Sequence, residues 1–135
     1  MLALLAGFLV TLGAVVAPVL FATLDDRGLA GEIAGRFFHV ANLVTVASSL
    51  LLVWPLGRTT LSGPALRLLP GVSLGLSEWV LHPLIVAEKA AHGSTTQAFA
   101  LWHGVSSALY AVATAAVLTL LWRELRAAAV VNPAE

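Results

Sequence analysis

The chain has 135 residues, of which 59% are hydrophobic and 10% are charged, and it contains no cysteine. A soluble domain usually carries about 25% charged residues, so the composition predicts an integral membrane protein surrounded by the lipid bilayer. Seven basic and seven acidic residues give a formal net charge of zero, without the basic excess that nucleic-acid binding requires. The lack of cysteine excludes disulfides, thiolate metal ligands and cysteine nucleophiles.

Four apolar segments are each long enough to cross about 30 Å of hydrocarbon at about 1.5 Å per residue. The predicted spans, within one transmembrane domain over residues 1–135, are about 2–24, 32–55, 66–88 and 97–122. The first has no charge from Leu2 to Leu24, and it lacks the basic segment that precedes the apolar part of a signal peptide. Short connections between the spans predict an all-α, antiparallel, up-down four-helix bundle.

Basic residues are slightly more frequent at the end of the predicted bundle that carries both termini. That end has Arg58, Arg67, Arg123 and Arg126, and the opposite end has Arg27, Arg36 and Lys89. Positive charge favours the cytoplasmic side of a membrane. We therefore expect an inner (plasma) membrane protein with both termini in the cytoplasm.

The third segment carries two ionisable residues in its apolar middle, Glu78 and His82. Residues four apart lie one above the other on a helix face. An ionisable side chain at the centre of a membrane helix costs about 2.5–3.5 kcal/mol on insertion scales, so such groups usually face the protein interior and often mark function.

Counting residues from the outer ends of the helices places polar groups of different spans at similar depths. At about 1.5 Å per residue, His39 and His103 lie roughly 9 Å deep and His82 roughly 12 Å deep. Three histidines from three helices thus form one predicted layer. A second layer of Glu78, Asn42 and Tyr110 is expected at roughly 14–20 Å.

This layer is compatible with several functions. Neutral imidazole binds copper, zinc, iron and haem iron, and a nearby carboxylate can orient the ligand. The predicted ligands are therefore His39, His82 and His103, supported by Glu78, for a metal ion such as copper or for haem b. A proton or solute path past Glu78 is another possibility. The structural alternative is a Glu78–His82 hydrogen bond, joined by His103 and Asn42, that only holds the helices together.

Four short patterns resemble a family of small membrane proteins of unknown function. They are Gly13-x-x-x-x-Pro18-x-x-Phe21, Ala30-Gly31 followed by Arg36-Phe37-Phe38, His82-Pro83-x-Ile85, and Phe99-x-x-Trp102-His103-Gly104-x-Ser106. The family includes bacterial members and the eukaryotic transmembrane protein associated with cisplatin resistance. It is distantly similar to the CopD-like group of copper-resistance and haem-linked membrane proteins.

The resemblance implies metal or haem handling. The positions that match the family pattern are Pro18, Phe21, Arg36, His82, Pro83, His103 and Ser106. Trp102 stands where the family pattern has leucine, which alters packing beside His103 without removing the imidazole. Glu78 and His39 are not matched positions, and their assignment depends on depth alone.

The leading hypothesis is a small membrane protein that binds a metal ion or haem in its histidine layer. A ligand-free scaffold or interaction subunit of a membrane complex, and a haem-dependent membrane redox enzyme, are the alternatives. No phosphate loop, G-x-S-x-G or H-E-x-x-H motif is present in the sequence, so enzymatic activity stays open. The oligomeric state stays open, because the small-residue seams could close this bundle or join two copies into a homo-oligomer.

Overall fold

The computed structural model describes residues 1–53 and 63–131. The helical elements are α1 (Leu2–Thr11), a π-helical turn (Leu12–Val16), α2 (Ala17–Thr23), α3 (Arg27–Val53), α4 (Pro64–Leu76), a second π-helical turn (Ser77–Leu81), α5 (His82–His92) and α6 (Gln97–Val131). The predicted end of the second membrane segment, at residues 54–55, and Arg58 lie outside the described residues.

These elements form four helices that are long and apolar enough to cross a membrane. We call them span 1 (Leu2–Thr23), span 2 (Arg27–Leu51), span 3 (Ala65–His92) and span 4 (Gln97–Val130). Span 1 contacts spans 2 and 4, and span 3 contacts the same two neighbours. The predicted all-α four-helix bundle is confirmed, and the protein is a multi-pass membrane protein.

Span 2 begins five residues before its predicted start because its first turn is capped. The Asp26 carboxylate accepts hydrogen bonds from the backbone N–H groups of Gly28 and Leu29, at 2.7 and 3.1 Å. An aspartate that satisfies free N–H groups at a helix start stabilises the helix by about 1 kcal/mol. Span 4 likewise continues beyond the predicted residue 122, because Trp122–Arg126 stay helical with the Arg126 guanidinium 4.4 Å from the Trp122 ring centroid.

Each π-helical turn ends two residues before a proline. The N–H of Ala17 donates to the carbonyl of Leu12, and Pro18 follows. The N–H of His82 donates to the carbonyl of Ser77, and Pro83 follows. Proline has no N–H and disrupts the regular hydrogen-bond ladder, so the chain widens the preceding turn and stays helical. Such wide turns are frequent at functional sites.

The interface between spans 1 and 4 forms most of the apolar core. Its buried residues include Leu2, Leu5, Leu9, Ala113, Val117 and Leu120. The Tyr110 hydroxyl donates a 2.8 Å hydrogen bond to the carbonyl of Leu9. Gly13 allows this approach, since a Cβ there would lie 3.1 Å from Tyr110 Cε1.

Spans 2 and 3 carry buried polar side chains. Every buried polar residue of the described ranges lies in one of these two spans: Asn42, Thr45, Ser49, Arg67, Ser73, Ser77 and Glu78. The two helices approach closely where Ser49 faces Gly71, because a Cβ on Gly71 would lie only 2.7 Å from Ser49 Cβ. The bundle therefore has an apolar half and a polar half.

Gly71→Ala tests this close approach. The new methyl group would force spans 2 and 3 apart, so we expect it to destabilise the bundle by about 1–3 kcal/mol. The measurement is denaturant or thermal unfolding in detergent. Gly35→Ala is the control, because nothing lies within 4 Å of a Cβ at that position. Equal stability of the two variants would contradict the packing described.

Candidate functional site

The buried carboxylate of Glu78 joins span 3 to span 2. Its side chain is 6% exposed. Glu78 Oε2 accepts a 2.9 Å hydrogen bond from Asn42 Nδ2, and Glu78 Oε1 lies 2.6 Å from His39 Nδ1. His39 and Asn42 are three residues apart, so one face of span 2 presents both groups. Each carboxylate oxygen therefore has a partner on the neighbouring helix.

His82 lies beside the same carboxylate. His82 Nδ1 is 3.7 Å from Glu78 Oε1, which is an ion-pair distance and too long for a hydrogen bond. The ring centroids of His39 and His82 are 6.2 Å apart. We call His39, Asn42, Glu78 and His82 the Glu78 cluster.

The two imidazoles of the cluster face outward from the bundle. The side chains of His39 and His82 are 47% and 54% exposed. Each directs Nδ1 towards the carboxylate, and within the described residues neither Nε2 atom has a hydrogen-bond partner. A histidine that binds a metal commonly has its other nitrogen hydrogen-bonded to a carboxylate in this way. The arrangement could thus present one or two oriented imidazole nitrogens to a ligand at the bundle surface.

The second π-helical turn positions the cluster and links it to span 4. Glu78 is the second residue of this turn, and Ser77 is the first. The hydroxyls of Ser77 and Ser106 are 2.7 Å apart and share a hydrogen bond. One side of the turn therefore holds span 2 through Glu78, and the other holds span 4 through Ser77.

His103 is separate from the cluster. Its imidazole stacks on Phe99 of its own helix, with ring centroids 5.8 Å apart. Among the residues that the structure describes, this imidazole has no hydrogen-bond partner, and His103 is exposed. It lies one turn from Ser106, which contacts span 3. His103 was expected at the same depth as His39 and His82, but its imidazole does not contact Glu78.

Two details of the predicted polar layers differ in the structure. The carboxylate bonds to His39 and Asn42 rather than to His82, because residues of the facing helix reach it more directly than a residue one turn along its own helix. Tyr110 does not join Glu78, since its hydroxyl bonds to span 1 and its ring packs edge-on against Phe38 with centroids 4.8 Å apart. The Ser77–Ser106 bond was not predicted.

Over residues 1–53 and 63–131, no three His, Cys, Asp or Glu side chains are arranged to hold a metal ion. Glu78 uses its oxygens within the chain, and His103 points elsewhere. What one copy offers is therefore a pair of imidazoles oriented by a buried carboxylate, rather than a complete metal coordination sphere.

Among known proteins, the chain matches a family whose activity is not assigned. A family model described as a domain of unknown function (DUF4149) matches residues 1–131. The chain belongs to this family. No curated protein and no solved structure matches the chain. The similarity to the cisplatin-resistance protein and to the CopD-like group stays a prediction, and any function of this DUF4149 protein must be inferred from its own residues.

Glu78→Ala tests the role of the carboxylate in holding the bundle together. Without it, the buried amide of Asn42 loses its hydrogen-bond acceptor, which costs about 1–3 kcal/mol. We expect a matching loss in the free energy of unfolding in detergent, and Glu78→Gln should recover part of it because an amide oxygen can accept from Asn42.

Glu32→Ala is the matched control. Glu32 pairs with Arg36 at 2.8 Å, but both side chains are more than half exposed, and exposed pairs contribute little to stability. A Glu78→Ala variant as stable as Glu32→Ala would mean that the buried hydrogen bonds do not hold spans 2 and 3 together.

Proposed function

We propose that this protein binds haem b or a metal ion such as copper at the Glu78 cluster, in the inner membrane of the cell. The observation that supports the proposal most directly is the orientation of His39. Its Nδ1 shares a 2.6 Å hydrogen bond with a buried carboxylate while its ring is half exposed. A carboxylate on Nδ1 fixes the ring and makes Nε2 a better ligand.

Haem fits this arrangement better than a bare metal ion. A porphyrin brings four of its own nitrogen ligands, so its iron would need only one or two imidazoles from the protein. The cluster would supply two, His39 and His82, and the exposed apolar side chains one turn from them, Leu43, Trp79 and Val86, would suit a flat apolar macrocycle. A bare copper ion would need His103, or the histidines of a second copy, to complete its coordination.

His103 remains a proposed ligand of the same site. It is exposed on span 4 and lies one turn from Ser106, which bonds to Ser77 beside Glu78. With both termini in the cytoplasm, these histidines would lie nearer the outer face of the membrane. Bound haem would supply one-electron redox chemistry, and turnover with a quinone or a tetrapyrrole would identify the protein as a redox enzyme.

A ligand-free scaffold subunit is the second candidate function. It is favoured by the fact that both oxygens of Glu78 already have partners within the chain. In that case the cluster only fixes the register of spans 2 and 3, and the exposed imidazoles contact lipid headgroups or a partner subunit. Interhelical hydrogen bonds of this kind contribute about 0.6 kcal/mol on average.

An absorption spectrum and a metal analysis of the detergent-purified protein distinguish the two candidates. We expect a Soret band or near-stoichiometric metal in the wild-type protein. If the protein is purified without a ligand, the signal should appear after haemin, copper or zinc is added. The signal should be lost in His39→Ala and His82→Ala, because each removes an oriented imidazole. His103→Ala shows whether the third histidine takes part.

His92→Ala is the matched control. His92 Nδ1 lies 3.5 Å from Glu88 four residues earlier, the same local arrangement as His82 and Glu78, but at the exposed end of α5. This variant should keep the full signal. If the wild-type protein stays colourless and metal-free after all three ligands are added, the ligand-binding proposal is wrong and the scaffold function is supported.

A further inference from the structure

The two imidazoles of the Glu78 cluster face away from the bundle within membrane-spanning helices. The side chains of His39 and His82 are 47% and 54% exposed, and residue counting places them roughly 9–12 Å from the outer ends of their spans. Ionisable side chains of transmembrane helices almost always face the bundle interior or a water-filled cavity. A single copy therefore leaves two polar groups on its lipid-facing surface, which is the position expected of residues that a partner covers.

The imidazoles of one copy do not close a coordination sphere. Nδ1 of His39 and Nδ1 of His82 approach the same oxygen, Glu78 Oε1, at 2.6 and 3.7 Å. The two Nε2 atoms lie on the sides of the rings that face away from this oxygen. A metal ion needs ligands that converge on it from several directions. Further ligands must therefore approach the outward face of the cluster.

The other histidines of the same copy are poorly placed to supply these ligands. The sequence contains four histidines. His92 lies beside Glu88 at the exposed end of α5, with Nδ1 3.5 Å from the carboxylate. His103 stacks on Phe99 of span 4, and within the described residues span 4 does not contact span 2. A second copy of the chain is the nearest source of matching imidazoles.

Membrane insertion sets the symmetry of such a pair. Copies of one membrane protein insert with the same orientation, so the two-fold axis of a dimer is parallel to the membrane normal. Each residue then lies at the same depth as its counterpart, and one surface patch contacts itself. The histidines of two copies are therefore brought to one level. Leu43 and Trp79, which are 41% and 61% exposed one turn away, would be covered by the same contact.

From this arrangement we infer that two copies of the chain pair through the outward face of the Glu78 cluster, and that His39 and His82 of both copies surround one shared metal centre. Neutral imidazoles suit a copper or zinc ion, and they suit the iron of haem. The buried Glu78 of each copy orients its own two rings. The shared centre rests on the proposed function, whereas the pairing needs no ligand.

Cysteine cross-linking in native membranes tests the pairing without a ligand. The chain contains no cysteine, so Leu43→Cys carries the only thiol, one turn from His39. A flexible sulfhydryl cross-linker should convert this variant to covalent dimer several-fold more than the control. The control is Val105→Cys, which is 39% exposed at a similar depth on span 4. Equal cross-linking of the two variants, or none at position 43, overturns the pairing.

Mixed dimers test whether the two copies share one centre. A wild-type copy and a copy with both His39→Ala and His82→Ala carry different affinity tags, and purification on both tags isolates the mixed pair. We expect this pair to lose most of the Soret or metal signal, because the intact cluster has no opposing imidazoles. A mixed pair that keeps about half of the wild-type signal shows that each cluster binds its own ligand, which overturns the sharing.

The two experiments separate this inference from the proposed function. A wild-type protein that holds no ligand overturns the proposed function and the shared centre together, and the cross-link at position 43 then still decides the pairing. A wild-type protein that holds a ligand but gives no dimer, by cross-linking or on the two tags, overturns the inference and leaves the proposed function intact.

Discussion

The carboxylate of Glu78 is the constraint on which the polar half of this bundle depends. A carboxylate in the membrane interior is costly unless it has hydrogen-bond donors. Here the donors come from span 2, where Asn42 and His39 reach one oxygen each. Because both partners must stay within hydrogen-bonding distance, the register between spans 2 and 3 is fixed at this level. The close contact between Ser49 and Gly71 fixes it a second time, about two turns away.

The division into an apolar and a polar half follows from how the four helices share their buried surfaces. Spans 1 and 4 pack leucine, alanine and valine side chains, and their main polar contact is the Tyr110 hydroxyl on the Leu9 carbonyl. Spans 2 and 3 bury all seven buried polar residues of the described ranges. Apolar side chains have no hydrophobic drive to associate within lipid, so close packing stabilises the first half, and hydrogen bonds add specificity in the second. A site for a ligand is expected in the second half.

The π-helical turns show how backbone chemistry supports the site. Each turn accommodates a proline without ending the helix. In the second turn, Ser77 bonds to span 4 and Glu78 bonds to span 2. A regular α-helical turn separates successive residues by about 100°, and the wider turn alters this spacing locally. Span 3 can therefore bond to span 2 and span 4 within two consecutive residues, while Leu81 stays buried on the same turn.

The sequence by itself determined the number of helices, their membrane character and the inward position of Glu78, because hydrophobic length and the cost of charge in lipid are local properties. It also predicted that His39, His82 and His103 lie at similar depths, with Glu78 in the next layer, since depth follows from counting residues along a helix. The outward position of the histidines was not predicted. Only the tertiary structure decided which partners meet. The rotation of each helix about its axis is set by packing against its neighbours, and it brings His39 to Glu78, leaves His103 stacked on Phe99 and turns Tyr110 towards Leu9. The unpartnered hydroxyls of Thr45 and Ser49 were likewise invisible in the sequence, because satisfaction of a hydrogen bond depends on the facing helix.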